Sequence, residues 1–333
     1  MPSMTEKYLV TGAPGWLGNR LVEVMREQGK DVTCLVLKGM KIDHLEKCGA
    51  KTVYGDIMDF DSLLSVTKGM DKVIHAVGII HPKKAKDFYD LNTNGTKNML
   101  EASYRGGVKI FLYISSNSAQ GYNVYKDKPM TEEGPDRPYT DYGKSKWKAE
   151  QIVKEYQNSG KLQAVIIRPC WFYGPNPGHI FVELVKHIKK GNPPIFGDGN
   201  NLRTMSYIDN TVYGVIKAID SGKTNGQIYW FGDEKPYKLI DVYKEIAKNL
   251  GVTIKPICIP WALCWLAEKI DQFTGNLGQY HRHIHVMGET GHYIWCDTSK
   301  AQRDFGYEPK ISLQEGMRLT IESMRKAGLL DEQ

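Results

Sequence analysis

Thr11-Gly12-Ala13-Pro14-Gly15-Trp16-Leu17-Gly18 follows the apolar run Tyr8-Leu9-Val10 and precedes apolar residues at helical spacing, Leu17, Leu21, Val24 and Met25. A strand, a glycine-rich turn and a helix in that order build a phosphate site. Backbone N–H groups and the positive end of the helix dipole face the anion, and glycines let it approach closely. The spacing here is Gly-x-x-Gly-x-x-Gly, wider than the common Gly-x-Gly-x-x-Gly fingerprint. A glycine turn also serves any loop that needs positive φ, so its meaning depends on what lies downstream.

Downstream, strand-like runs alternate with helical patterns. Val32–Leu37, Thr52–Tyr54, Lys72–Ala76, Ile110–Ile114 and Ala164–Ile167 read as strands; Asp61–Thr67, Asp90–Tyr104 and Tyr142–Tyr156 read as helices. That rhythm predicts an α/β fold, a doubly wound parallel Rossmann-type sheet that binds ligands at the carboxyl ends of its strands. After Pro169 the rhythm breaks into loops rich in proline and glycine. The expected organisation is a dinucleotide-binding domain over residues 1–175, to which 205–235 return with a helix at Val212–Ala218 and a strand at Gln227–Phe231. A smaller, mostly helical substrate lobe takes 176–204 and 236–333.

The 333 residues are 41% hydrophobic and 25% charged, the balance of a soluble globular chain. Net charge is +6, but the lysines are scattered, which argues against nucleic-acid binding. Six widely spaced cysteines without a C-x-x-C pair argue against a disulfide framework and for a reducing, cytoplasmic setting. No signal peptide is recognised, and no apolar run reaches the ~18 residues of a transmembrane segment. Ile259–Ala267 is apolar but too short to span. It suits a pocket wall, a membrane surface or a buried core helix.

Two further elements carry chemistry. Tyr142 and Lys146 stand at i and i+4, one turn apart on one helix face. An ammonium beside a phenol lowers its pKa from ~10 and lets the pair exchange a proton with a carbinol oxygen. Phe111-Leu-Tyr-Ile-Ser115-Ser116 is a strand ending in hydroxyls, which brings Ser116 to the sheet's carboxyl edge within reach of a reacting oxygen. Alone, the first is a common helix pair and the second a common cap.

The glycine turn, strand-end serine and Tyr-x-x-x-Lys, in that order, resemble the extended short-chain dehydrogenase/reductase family. Further matches follow in register: Gly55-Asp56-Ile57, Val73-Ile74-His75-Ala76, Asn92-Thr-Asn94-Gly95-Thr96, Arg168-Pro169 with Tyr173-Gly174-Pro175, Tyr207-Ile-Asp209-Asn210 and Asp297-x-Ser299-Lys300-Ala301. The resemblance covers nearly the whole chain. It implies that Tyr142 is the general acid/base, Lys146 binds the nicotinamide ribose, and Ser116 polarises the substrate oxygen. Gly12, Gly15, Trp16, Leu17 and Gly18 would line the diphosphate, Asp56 and Ile57 the adenine, and Ala76, Asn94 and Pro169 the rest of an NAD(P)(H) cofactor. Members pair through the helices matching Asp90–Tyr104 and Tyr142–Tyr156, which implies a homodimer.

NAD-selective members place an acidic residue at the end of the second strand. Here Leu37-Lys38 stands there, and Lys38 or Lys41 facing a 2′-phosphate tilts the expectation towards NADP(H). For the small-molecule substrate, Arg203 matches the arginine that nucleotide-sugar 4-epimerases place on the diphosphate. Trp171 and Met287, however, stand where those enzymes carry an asparagine and a second arginine, and Asn117-Ser118 replaces the Asp-Glu pair of dehydratases. The pattern is nearest to 3β-hydroxysteroid dehydrogenase-like members, with Trp171 at the substrate and Trp261 and Trp265 covering a flat ligand. The expectation is therefore hydride transfer to or from a hydrophobic secondary alcohol or ketone, with a nucleotide-sugar 4-epimerase holding its NAD tightly as the alternative. His281-x-His283-x-His285 reads as one face of a strand at a polar edge, and no metal site is expected. His75 reads as a packed strand-end residue and Cys170 as a buried thiol.

Overall fold

The structure, a computed structural model, describes residues 5–330. From its amino end run β1 (Lys7–Thr11), α1 (Trp16–Glu27), β2 (Asp31–Val36), α2 (Asp43–Lys47), β3 (Lys51–Tyr54), α3 (Phe60–Thr67) and β4 (Lys72–His75). Then come α4 (Ala85–Phe88), a π-helical turn (Tyr89–Asn94), α5 (Gly95–Gly106), β5 (Ile110–Ile114), a 3₁₀ turn (Asn117–Ala119), α6 (Asp141–Asn158) and β6 (Gln163–Pro169). The remainder holds β7 (Trp171–Tyr173), α7 (His179–Lys189), β8 (Pro194–Phe196), β9 (Leu202–Arg203), β10 (Met205–Tyr207), α8 (Ile208–Asp220) and β11 (Ile228–Phe231). It ends with β12 (Tyr237–Lys238), α9 (Leu239–Leu250), β13 (Ile257–Ile259), α10 (Trp261–Asn276), α11 (Arg282–Thr290), α12 (Ser299–Phe305) and α13 (Leu313–Lys326).

Seven strands form one sheet in the order β11-β6-β5-β4-β1-β2-β3, and each neighbouring pair is parallel. The apolar runs explain it. All five residues of Ile110–Ile114 are buried, as a strand covered on both faces requires. Leu21, Val22, Met25, Val212 and Val215 fill one face; Leu63, Met99, Leu100, Ala149 and Val153 fill the other. The strand order reverses between β1 and β4, and the crevice at that switch point is where such sheets bind ligands. A separate apolar cluster joins Val185, Ile188, Ile246, Met317 and Ile321 from α7, α9 and α13.

Three expectations change. The helix expected over Asp90–Tyr104 is interrupted: α5 starts at Gly95, and a π-helical turn precedes it. The wide turn rotates Asn92 inward, where its side chain bonds the backbone of Ile79 and the hydroxyl of Ser145. Second, His281–His285 lies at the start of α11 and is not a strand, because His285 turns inward to Asp271, 2.9 Å away. Third, Ile259–Ala267 is not a buried core helix: its strand ends at Ile259, Cys264 and Ala267 turn inward, and α10 leaves Trp261 and Trp265 exposed.

A buried ionic strut fixes α6 against β6. Arg168 forks onto Glu150, with Nε 2.9 Å from Oε1, and also reaches Asp136 at 2.8 Å; the Ser115 hydroxyl donates to Glu150 at 2.6 Å. The Arg168 and Glu150 side chains have no exposure. Removing one partner of such a pair strands a charge, whereas replacing both removes the desolvation cost as well. Glu150→Leu is expected to lower unfolding stability by about 3 kcal/mol or more, and Glu150→Leu/Arg168→Met to recover part of that loss. Urea unfolding of the three proteins checks it; a double variant less stable than the single one contradicts it.

Candidate active site

The glycine turn closes on itself before it can meet a ligand. Gly12 has φ +89°, and a Cβ there would stand 2.6 Å from the Ala76 carbonyl at the end of β4. A Cβ on Gly15 or Gly18 would lie 2.6 or 2.5 Å from the Gly12 oxygen. All three positions therefore exclude side chains, and backbone lines the cradle. α1 follows Gly15, which offers no side-chain cap, and has no acidic residue in its first turn, so its leading N–H groups stay open to an anion. This cradle fits a dinucleotide diphosphate.

Other residues expected at the cofactor fall around it. The Trp16 indole donates to the Pro175 carbonyl at 2.8 Å and so fastens the loop after β7; Trp16 and the half-buried Leu17 have only backbone to offer a phosphate. Ala76 faces Gly12, and Pro169 is buried at the end of β6. Asp56 accepts the N–H of Met58 at 2.9 Å, and Ile57 is buried against Gly95. Lys38 is exposed, whereas Lys41 joins His44 and Lys47 around a shallow depression beside Pro14 and Asn19. Asn94 requires a correction: it is exposed, and Asn92 is the asparagine that the π turn carries to the site. A Cβ at Gly78 would lie 3.7 Å from the Asn92 Oδ1 and 3.5 Å from the Lys146 Nζ.

Ser116, Tyr142 and Lys146 do come together. Thr140 caps α6 by accepting the Gly143 N–H at 3.0 Å. A Cβ on Gly143 would lie 2.3 Å from the Ser118 carbonyl, so glycine alone lets the start of α6 close on the turn after β5. The Ser116 hydroxyl thereby stands near the Tyr142 phenol and draws its pKa down, but burial is the larger effect and leaves it at about 12. The expected pull of Lys146 on Tyr142 is absent. Lys146 instead donates to the Ile114 carbonyl at 2.7 Å and faces the Tyr113 ring at 4.5 Å. Burial lowers it to about 7, partly opposed by Glu150.

His75 lies below the site, 2.7 Å from the Thr11 hydroxyl and 3.1 Å from that of Thr96. Burial, then the Lys146 charge, lowers it to about 3, so it is a neutral packing group. The Cys170 thiol is buried 3.6 Å from that of Cys296, and burial pushes its pKa up.

On the far wall, Arg203 is fully buried, and its guanidinium stacks 4.4 Å from the Trp171 ring. Nη2 donates to the Glu289 carbonyl at 2.6 Å; Nε and Nη1 have no partner. Burial lowers its pKa, and the Glu289 carboxylate acts on it only at longer range. α10 and α11 roof this wall. His292 reaches Glu268 at 2.8 Å and stacks on Tyr122 with centroids 3.8 Å apart. Among the described residues no group of three or more His, Cys, Asp or Glu side chains is arranged to hold a metal ion.

Sequence reasoning missed Asn92, Gly143 and the Glu150–Arg168 strut. Glu150 continues the i, i+4 row of Tyr142 and Lys146, the one signal available beforehand.

Residues 8–232 match the model of the "NAD dependent epimerase/dehydratase family". A Sinorhizobium fredii protein known only as uncharacterized protein y4nL is 35% identical over 339 residues, covering 96% of this chain and 95% of that one. The N-acetyl-alpha-D-glucosaminyl-diphospho-ditrans,octacis-undecaprenol 4-epimerase of Escherichia coli O157:H7 is 28% identical over 288 residues, 82% of each chain. The UDP-glucose 4-epimerase of Thermotoga maritima, solved with UDP-glucose, shares the fold with a TM-score of 0.79 at 23% identity, covering 96% of this chain and 99% of that one.

The buried Lys146 has a signed consequence. Its folded pKa, about 7, lies below the ordinary 10.5, so between those values the unfolded chain binds a proton that the folded chain does not. Its unfavourable contribution is complete below pH 7 and fades as pH rises towards 10.5. Cofactor-free Lys146→Met is therefore expected to exceed the parent in melting temperature most at pH 6.5, with the gap closing by about pH 10. A gap independent of pH contradicts the assignment.

Proposed function

The chain belongs to the NAD-dependent epimerase/dehydratase family, and we propose that it is a 4-epimerase for a sugar carried on a diphosphate. Arg203 carries the reading. A guanidinium with no exposure, one carbonyl partner and two unpartnered nitrogen positions is costly unless an anion completes it. A diphosphate suits its planar fork. An epimerase must address both faces of one carbon, and an anchor remote from that carbon serves both orientations.

Gly12, Gly15 and Gly18, with the open start of α1, would hold the dinucleotide diphosphate. Asn92 and Lys146 lie where its nicotinamide half would end. A bound NAD supplies hydride acceptance and return at the substrate carbon. Tyr142, as phenolate, takes the proton of the sugar hydroxyl and gives it back, and the Ser116 hydroxyl holds the same oxygen. At about 12 the phenol of the free chain is too weak an acid for this. Lys146, at about 7, must gain its proton and turn from the Ile114 carbonyl towards Tyr142 for the pair to work at neutral pH.

A second reading has its own support. Lys41, His44 and Lys47 beside the turn, with no carboxylate at the end of β2, suit a 2′-phosphate and thus a reductase that consumes NADPH. Its substrate would be a hydrophobic hydroxysteroid-like alcohol or ketone. The homodimer proposed for either reading pairs α5 and α6 with their copies; a monomer in light scattering at micromolar concentration contradicts that.

The test is incubation of the purified protein with UDP-sugars and separation of the epimers. Epimer formation without net change in dinucleotide absorbance is expected, with kcat reduced on the order of 10²–10⁴-fold in Tyr142→Phe. Arg203→Met is expected to raise KM for the sugar about tenfold or more, while dinucleotide binding stays unchanged. Stoichiometric NADPH oxidation with a ketone and no epimer favours the reductase.

A further inference from the structure

α10 is turned inside out. Its inward positions carry its carboxylates: Glu268 accepts from His292 at 2.8 Å and Asp271 from His285 at 2.9 Å. Its outward positions are apolar, and Trp265, Phe273 and the following Leu277 are 60%, 66% and 62% exposed. Trp261, Leu266 and Ile270 extend the same face, and Lys269 is the one exposed charge on the helix. A water-facing helix has the reverse arrangement. No helix among the described residues is long and apolar enough to cross a membrane.

Lysines flank one end of this face. Lys83 and Lys84 lie beside its carboxyl end, where the Ala85 N–H donates to Gly278 and Lys84 bridges Gln279. Lys190 and Lys255 lie further off, at the outer end of the short β8–β13 pair that leads into α10, where the Lys255 N–H donates to Gly191 at 2.8 Å. All four are exposed, and the lysine ion pairs of the described residues lie elsewhere.

We propose that this face of α10 seats on an anionic lipid bilayer, its aromatic and aliphatic side chains entering at headgroup depth and Lys83, Lys84 and Lys269 meeting lipid phosphates. Tryptophan, phenylalanine and leucine on one side with cations at the margin is the composition of an interfacial helix. The charges also select against a second copy of this chain, since pairing two such faces brings lysines together rather than opposite carboxylates. The inner side of α10 closes over the site: a Cβ on Gly275 would stand 2.5 Å from Asp141 Oδ2, one residue before Tyr142. Seated α10 therefore brings the site to the bilayer. On the epimerase reading, from which this one consequence follows, the diphosphate substrate is then one anchored in the membrane by a lipid.

The test is flotation of the full chain with vesicles of phosphatidylcholine alone or mixed with phosphatidylglycerol. Binding to the mixed vesicles that weakens with salt is expected, with the tryptophan emission shifting to the blue. Trp265→Glu and Phe273→Glu should each reduce binding about tenfold, and Lys83→Glu/Lys84→Glu should abolish the preference for phosphatidylglycerol. Circular dichroism identifies any variant that fails to fold, and the other apolar variant then decides. No binding to mixed vesicles at low salt overturns the proposal. So does an oligomer that Trp265→Glu dissociates while the parent ignores vesicles. The vesicle experiment contains no sugar or dinucleotide, so its failure is distinguishable from failure of the epimerase reading.

Discussion

The close approach of the Gly12 turn to the end of β4 is the contact on which the site depends. With 2.6 Å between a hypothetical Gly12 Cβ and the Ala76 carbonyl, no side chain fits between the first and fourth strands of the chain. Because those strands are neighbours at the switch point, their carboxyl ends share one crevice floored by backbone. Gly15 and Gly18 tighten the same turn onto the Gly12 oxygen. The glycines that suit a phosphate are thus first required by the turn itself.

A similar steric requirement governs the other half of the crevice. Gly143 admits the Ser118 carbonyl, which brings Ser116 near Tyr142, while the π turn and Asn92 tie α6 to the loop after β4 through Ser145. Behind these contacts the strut of Arg168, Glu150 and Asp136 satisfies its charges internally. Lys146 and Arg203 lack such completion: Lys146 has only the Ile114 carbonyl as a hydrogen-bond partner, and Arg203 only that of Glu289. Burial without a paired carboxylate raises the free energy of both cations, and ligands carrying negative charge relieve it.

α10 shows a different economy. Its carboxylates are used inward on His285 and His292 to hold the roof, and its large apolar residues face outward. Apolar content alone cannot distinguish a core helix from one with this orientation, because the stretch has the same composition in both.

Much of the fold was legible in the sequence. The alternation of apolar strands and amphipathic helices, and the glycine turn between the first two elements, determine the parallel sheet and the position of its crevice, since period and burial on both faces are local properties of the chain. Ser116, Tyr142 and Lys146 were legible as a set from their order. Only the tertiary structure decided that Asn92 rather than Asn94 enters the site, that Lys146 turns to Ile114, that Arg203 is buried without a carboxylate partner, and that α10 faces outward. Each depends on which distant segment lies opposite, and that is set by the packing of the whole chain rather than by its neighbours in sequence.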